Sequence, residues 1–185
     1  MIRRRSRASL GTASGAAALL VLAAFLAIGG AACTPKPAPP VEGTAIVDRI
    51  LIEKAAHRMT LFAGDRTLAT YRVSLGHGGL APKAREGDGR TPQGDYRIIG
   101  RNPNSAYHLS LRIGYPTPAQ VEAARKAGLD PGGDIMIHGL PNGRGGLARF
   151  YAGHDWTDGC IAVTDAEIEE VWRLVQDGAA VRITS

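Results

Sequence analysis

A histidine and a cysteine within Asp134–Val163 carry the most legible chemistry of the chain. His138 closes the apolar run Ile135-Met136-Ile137-His138-Gly139, and Cys160 follows 22 residues later in Thr157-Asp158-Gly159-Cys160-Ile161-Ala162-Val163. A glycine-rich loop with a second histidine, His154, joins them. A thiol and an imidazole on neighbouring strand ends make a nucleophile and its base. His138 would take the thiol proton or hold a thiolate as an ion pair, assistance typically worth about 10²–10⁴-fold. Gly159 lets the backbone approach a substrate closely, and the N–H groups around Gly159-Cys160 are candidates for an oxyanion hole. These residues point to cysteine-dependent acyl transfer.

Other readings compete at each position. A free cysteine is often a small core residue, although polar Thr157 and Asp158 before it favour an exposed turn. A histidine at a strand end can simply satisfy backbone groups. His138, His154, Cys160 and either Asp155 or Asp158 are competent zinc ligands. They lack a compact pair such as CxxC or HExxH, so neither a metal nor a cofactor is expected. Asp158 beside the thiol opposes thiolate formation unless it points away or orients a histidine. His154 fits substrate contact, loop packing or a second base. His108 lies on the polar face of its segment and is placed to line the cleft, whereas His57 and His77 read as surface residues.

The positioning elements are mostly short strands. Segments 45–52, 58–62, 67–74, 95–99, 108–113 and 180–183 have strand character, the fifth alternating Leu109, Leu111 and Ile113 against His108, Ser110 and Arg112. Gly76-His77-Gly78-Gly79 and Glu86–Arg90 frame a polar loop, and Thr91-Pro92-Gln93-Gly94 is a turn. Thr117-Pro118 opens a helix that ends at Gly128. Thr164-Asp165-Ala166-Glu167 is a capping box opening a second helix, with Ile168, Val171, Trp172 and Val175 on one face and Gly178 as its stop. The expected fold is a single mainly-β domain with two peripheral helices, over residues 44–185.

The first 32 residues read differently. Arg3, Arg4, Arg5 and Arg7 precede an apolar run, Ala16–Ile28, and the small residues Gly29–Ala32. This is a secretory signal pattern, with an apolar part too short for a confident membrane span. Those four arginines are among the 22 Lys and Arg, and none of the 17 Asp and Glu precedes residue 33, so removal lowers the net charge from +5 to +1. The basic balance is therefore an export feature, and nucleic acid is excluded as a partner. Cys33 stands where the signal would be cut and leads into the proline-rich segment 33–43. That resembles a bacterial lipoprotein start, with Cys33 lipidated and a stiff tether behind it. Simple cleavage after Ala32 and a Cys33–Cys160 disulfide are the alternatives. Any contact with the membrane would be through that lipid anchor, and the expected location is the periplasm or cell envelope.

His138-Gly139, the glycine-rich loop, Thr157-x-Gly159-Cys160 and the following apolar strand resemble the YkuD-type L,D-transpeptidase catalytic domain. Upstream, Thr91-Pro92-x-Gly94-x-Tyr96 resembles the same family's T-P-x-G-x-[FY] motif. The resemblance runs from about Ala45 to Ile183 and implies a β-sandwich-like fold. It also implies attack on a peptidoglycan stem peptide at its diamino acid, through an acyl-enzyme open to trapping by a carbapenem. Carried over, Cys160 is the nucleophile, His138 the base and Gly159 the motif glycine. Two positions depart from the family: Asp158 replaces the histidine of [ST]-H-G-C, and Ala162 stands where Arg or Asn is common. Substrate carboxylate recognition then falls to Arg90, Arg101, Arg112, Arg144 or Arg149, with Thr157, Asp158, His154 and His108 as further substrate contacts. Thr157–Val163 together with Arg101–Leu111 looks more like the YafK-type branch, which includes a member that hydrolyses the peptidoglycan–lipoprotein crosslink. Transpeptidation and hydrolysis share the acyl-enzyme and differ in whether an amine or water resolves it. A wall-linked lipoprotein is thus a second expected partner beside stem peptides, and a non-enzymatic wall-binding module is the remaining reading.

Overall fold

The computed structural model describes residues 46–185. The export segment 1–32, Cys33 and the tether 33–43 lie outside the described residues. Eight strands form one curled sheet in the order β3-β2-β1-β8-β4-β5-β6-β7. They are β1 (Val47–Glu53), β2 (Arg58–Ala63), β3 (Arg66–Arg72), β4 (Gly94–Ser105), β5 (His108–Ile113), β6 (Met136–His138), β7 (Ile161–Ala162) and β8 (Val175–Thr184). The helices are α1 (Pro118–Lys126), α2 (Ala148–Tyr151) and α3 (Asp165–Leu174). The mainly-β expectation holds, with α2, a single turn, added to the two expected helices.

The curl is made by β4. Its first residues, Gly94–Arg97, pair with β8, and from Ile98 onward it pairs with β5. Irregular register between Ile98 and Gly100 bends it from one half of the sheet to the other, as bulged strands do at the corners of sandwiches. The far ends then meet. Ser74 bridges Ala162 and Gly76 bridges Thr157, which brings the chain after β3 against the Cys160 turn. Inside the curl lies one apolar cluster that includes Ile50, Leu61, Val73, Ile98, Leu111, Ile137, Ile161, Ile168 and Val181.

Both helix starts follow their sequence signals. Thr117 with Gln120 and Thr164 with Glu167 form complete capping boxes, each satisfying N-terminal amides that the helix itself leaves unpaired. The second helix stops sooner than its glycine suggests. Val175 is already extended, with φ −90° and ψ 133°, and begins β8 as a buried residue. The alternation of β3 runs through Ala69, Tyr71, Val73 and Leu75. Leu68 drops out because the pairing with β2 shifts between Leu61 and Phe62. Ser110, expected on a polar face, is buried and pairs with His138 of β6.

One buried residue breaks the apolar rule. Lys54 is fully buried and donates from Nζ to the carbonyls of Thr91 (2.7 Å) and Ala81 (3.1 Å). It thereby pins both sides of the 76–91 loop to the end of β1. Burial, and then the Arg90 charge, bring its ammonium down to about 8 from 10.5. The unfolded chain keeps this proton up to about 10.5, so it binds more protons than the folded state between pH 8 and 10.5. Stability from this group therefore rises with pH across that window. Urea unfolding at pH 7.5 and 10 should show a larger gain for the wild type than for Lys54→Met. An identical pH response in the two proteins would show that Lys54 does not titrate in this way.

Candidate active site

His138 and Cys160 lie on the parallel pair β6–β7. Ile137 faces Ile161 and His138 faces Ala162, which sets Cys160, one residue before β7, opposite Met136. Since alternate residues of a strand share a face, His138 and Cys160 become diagonal neighbours across the pair. Both line a cavity of about 340 Å³, together with Met136, Tyr107, Trp156 and Thr157.

The turn that carries Cys160 is held by backbone contact. Gly159 has φ +128°, a conformation L-residues rarely adopt. A Cβ there would stand 2.6 Å from the Arg90 carbonyl oxygen. A Cβ on Gly76 would come within 2.2 Å of the Gly89 oxygen and 2.9 Å of the Gly159 Cα. Three chain segments thus touch through their main chains beneath the cysteine. Thr157 completes the clamp: its buried hydroxyl donates to the Cys160 carbonyl (2.7 Å) and accepts from the Gly159 amide (3.2 Å). The Gly159 N–H is therefore turned inward, leaving the Cys160 amide as the donor of that pair for an oxyanion.

The 76–91 loop supplies the other side. Thr91, fully buried, accepts the Gly76 amide on Oγ1 (2.9 Å). Asp88 organises the loop by accepting from the amides of Ala84, Arg85 and Arg90 and from Lys83 Nζ. Although burial opposes its charge, those donors hold its carboxyl well below the usual carboxylate range.

His138 is 4% exposed, and its Nδ1 lies 2.7 Å from the Gly139 carbonyl oxygen. A carbonyl only accepts, so Nδ1 carries the proton in the neutral ring and Nε2 keeps its lone pair. Burial pushes the imidazole below its ordinary value, opposed by the bond to Gly139. Burial likewise pushes the Cys160 thiol up; a Met136 backbone bond and Lys83 oppose this, while Asp158 and Asp134 add to it. The resting pair is a thiol, its Sγ 3.5 Å from the Asp134 carbonyl oxygen, and a neutral imidazole in the same cavity, not a preformed ion pair. Two aromatic rings flank the histidine: Tyr107 at 4.6 Å and Trp156 at 5.8 Å between centroids.

Of the residues singled out in the sequence, Cys160, His138, Thr157 and Asp158 line this cavity, and Gly159 lies directly under it. The others are elsewhere. His154 is exposed on the loop after α2. His108 turns to Glu169 of α3, with Nε2 2.8 Å from the carboxylate. Arg90 donates to the Gly78 carbonyl (3.3 Å) and is loop structure. Arg149 stacks on Phe150, Arg101 on Trp172, and Arg144 is exposed beyond the cavity lining. Arg112 comes closest, through a 2.6 Å pair with Asp134 of the cavity wall. His57, read as a surface residue, binds Asp155 at 3.1 Å, and Asp155 also accepts the Leu75 amide (2.9 Å). Asp158 is almost fully exposed and lies 3.3 Å from His77, and its charge still opposes a thiolate at Cys160. The imagined zinc set does not assemble, and among the described residues no group of three or more His, Cys, Asp or Glu is placed to hold a metal. Tyr107 and Trp156 were missed; an aromatic residue one position before Thr157 and another beside His108 were the available signals.

The chain matches the family model described as the YkuD L,D-transpeptidase catalytic domain over residues 47–183, and it belongs to that family. It is 31% identical over 111 residues to YafK of Escherichia coli K12, a match covering 58% of this chain and 37% of that protein. Pgp2 of Campylobacter jejuni, a helical cell shape determining protein, superposes with a TM-score of 0.59 at 25% identity, over 75% of this chain and 48% of its own. Bd1075 of Bdellovibrio bacteriovorus shares the fold at 21% identity, with a TM-score of 0.52 over 80% of this chain and 53% of its own. The chain thus covers about half or less of the length of these relatives.

Gly159→Ala should cost about 1–3 kcal/mol of stability and most of the activity, because the Arg90 carbonyl cannot yield without moving the loop. Thr157→Ser should retain turnover, while Thr157→Val, which keeps the shape but loses both hydrogen bonds, should reduce it at least tenfold. Urea denaturation and a thiol-alkylation rate would check these; full activity in Thr157→Val would exclude the clamp.

Proposed function

We propose that the protein is a cysteine-dependent L,D-transpeptidase acting on peptidoglycan stem peptides. The observation that carries this reading is a buried neutral histidine, its Nε2 lone pair unused by the Gly139 bond, sharing one cavity with the only described cysteine. Cys160 Sγ attacks the carbonyl carbon of the diamino-acid residue while its proton passes to His138 Nε2. The tetrahedral oxyanion is held by the Cys160 amide. Collapse expels the terminal amino acid, whose nitrogen takes the proton from His138, leaving a thioester on Cys160. An amine from a second stem peptide then attacks the thioester, gives a proton to His138 and releases the thiol. Tyr107 and Trp156 supply flat apolar walls for the peptide, with Thr157 and Asp158 at the rim. The protein would do this outside the cytoplasm, after export through residues 1–32 and with Cys33 as the anchor point.

The pH profile follows from the two shifts. His138 works while neutral, and burial moves its protonation below the ordinary 6.5, so the acid limb of kcat/KM should lie below pH 6.5. Because the thiol is raised above 9.0, the rate should be flat from about pH 6.5 to 9. An acid limb above 6.5 would be incompatible with a buried neutral base.

Incubation of the purified protein with muropeptides, read by mass spectrometry, should give new 3-3 dimers or exchange of the terminal D-amino acid. Cys160→Ala should abolish both, and His138→Ala should lower them by about 10²–10⁴-fold, each variant keeping the wild-type circular dichroism. A carbapenem should add its mass to Cys160. Gain of water in place of an amine would make the enzyme a hydrolase; full turnover by folded Cys160→Ala would sink the mechanism.

A further inference from the structure

A second concavity lies on the opposite portion of the sheet, where β1, β8 and β4 run side by side. At about 600 Å³ it is larger than the cavity at Cys160, and the two share no lining residue. Its floor is written in the strand register. Arg49 of β1 pairs with Ala180 of β8, and Ala180 pairs with Arg97 of β4. Strands are about 4.8 Å apart, so the two arginines stand roughly 10 Å from each other at Cα with only a methyl group between them. The next row is Leu51, Arg182 and Asp95, and Ile99, 58% exposed, lines the same hollow.

The charge there is unbalanced. Three guanidinium groups face one carboxylate, Asp95, which Arg182 engages at 2.6 and 3.2 Å. Arg97 spends one Nη1 bond on the Gly178 carbonyl (2.8 Å), and Arg49 lies over the Phe62 ring with a 3.5 Å contact to the Gly64 carbonyl. Each guanidinium has five N–H donors, so Arg49 and Arg97 keep donors for another acceptor. With the residues after position 32 near charge balance, this is a local concentration of positive charge rather than a property of the whole chain. Arg49 and Arg97 stand on either side of Ala180, and each guanidinium can hold a carboxylate through paired N–H donors. The concave shape and the apolar side chains of Leu51 and Ile99 suit an extended chain, not a planar lipid surface.

We propose that this hollow is a docking site for a carboxylate-bearing peptide arm of the wall polymer, bound between Arg49 and Arg97 over Ala180. The inference rests on the transpeptidase reading for the identity of the polymer. It gains from β4, which lines the hollow with Asp95, Arg97 and Ile99 and the Cys160 cavity with Asn102 and Ser105. At about 3.3 Å per residue, Arg97 and Asn102 are at most about 17 Å apart along the bent strand. One stem peptide can therefore sit in the hollow while a neighbouring arm of the same polymer reaches the thiol.

The test uses full-length protein carrying Cys160→Ala, so that binding is read without turnover. Co-sedimentation with purified sacculi is compared with the same protein carrying Arg49→Gln and Arg97→Gln, at low and high salt. The double substitution should weaken binding roughly tenfold and flatten its salt dependence. Ala180→Leu, which fills the floor but keeps both arginines, should weaken it as well. In the Cys160 background, Arg49→Gln with Arg97→Gln should leave turnover of a soluble disaccharide-tetrapeptide unchanged. Equal sedimentation of all forms would overturn the proposal, as would arginine-dependent binding to phosphatidylglycerol vesicles and not to sacculi. Absence of wild-type turnover on the soluble substrate would instead defeat the transpeptidase reading and leave the sacculus result to stand by itself.

Discussion

Main chain pressed against main chain beneath Cys160 is the constraint on which the rest of the site depends. Gly159 packs on the Arg90 carbonyl, and Gly76 packs on Gly89 and Gly159, with no side chain between them. Side-chain packing can relax by changing rotamer, but a backbone contact of this kind has no such freedom. Cys160 is thus located by the path of chain segments that are distant in sequence. Each path is fixed in turn by a polar group: Thr157 for the turn, Thr91 and Lys54 for the loop, Asp88 for the loop's far side. The glycines permit the approach, and the hydrogen bonds make it unique.

Above that junction burial is the first cause of both pKa shifts. Burial disfavours charge on both members of the pair, and the two aspartates near the mouth add to the cost of a thiolate. A proton transfer in a low-dielectric pocket is worth arranging geometrically in advance, because the dipoles that receive the developing charge need not reorganise. The Gly139 carbonyl fixes the histidine tautomer, and Tyr107 and Trp156 confine the ring. The imidazole tautomer and ring position are therefore set by the fold alone.

The pieces of this arrangement that were legible in the sequence are the local ones. Cys160 and His138 were marked by residue type and by the strands that contain them, and both capping boxes follow from four consecutive residues. What escaped depended on partners far along the chain. His108 has the right strand position but a positive φ of 64° and a carboxylate on α3 to bind. Nothing in the sequence marks Lys54, because only the folded loop brings two carbonyls to its ammonium. The length of β4 was hidden by Asn102-Pro103-Asn104, residues that ordinarily break a strand but are accommodated here beyond a bulge, where pairing is irregular. The arginines drew attention as carboxylate binders because charge is visible in a sequence and direction is not.

The segment between His138 and Cys160 is fastened at both ends. Near His138, the Leu140 amide binds Asp165, and Asn142 binds Ser105, Ala106 and His108. Near Cys160, Asp155 is held by His57 and Leu75. Between those fastenings the chain is tied again, the Ser74 hydroxyl donating to the Tyr151 carbonyl (2.8 Å) and the Tyr151 ring meeting Trp156. A change of length after Gly143 would therefore be felt at Trp156 and, through that ring, at His138.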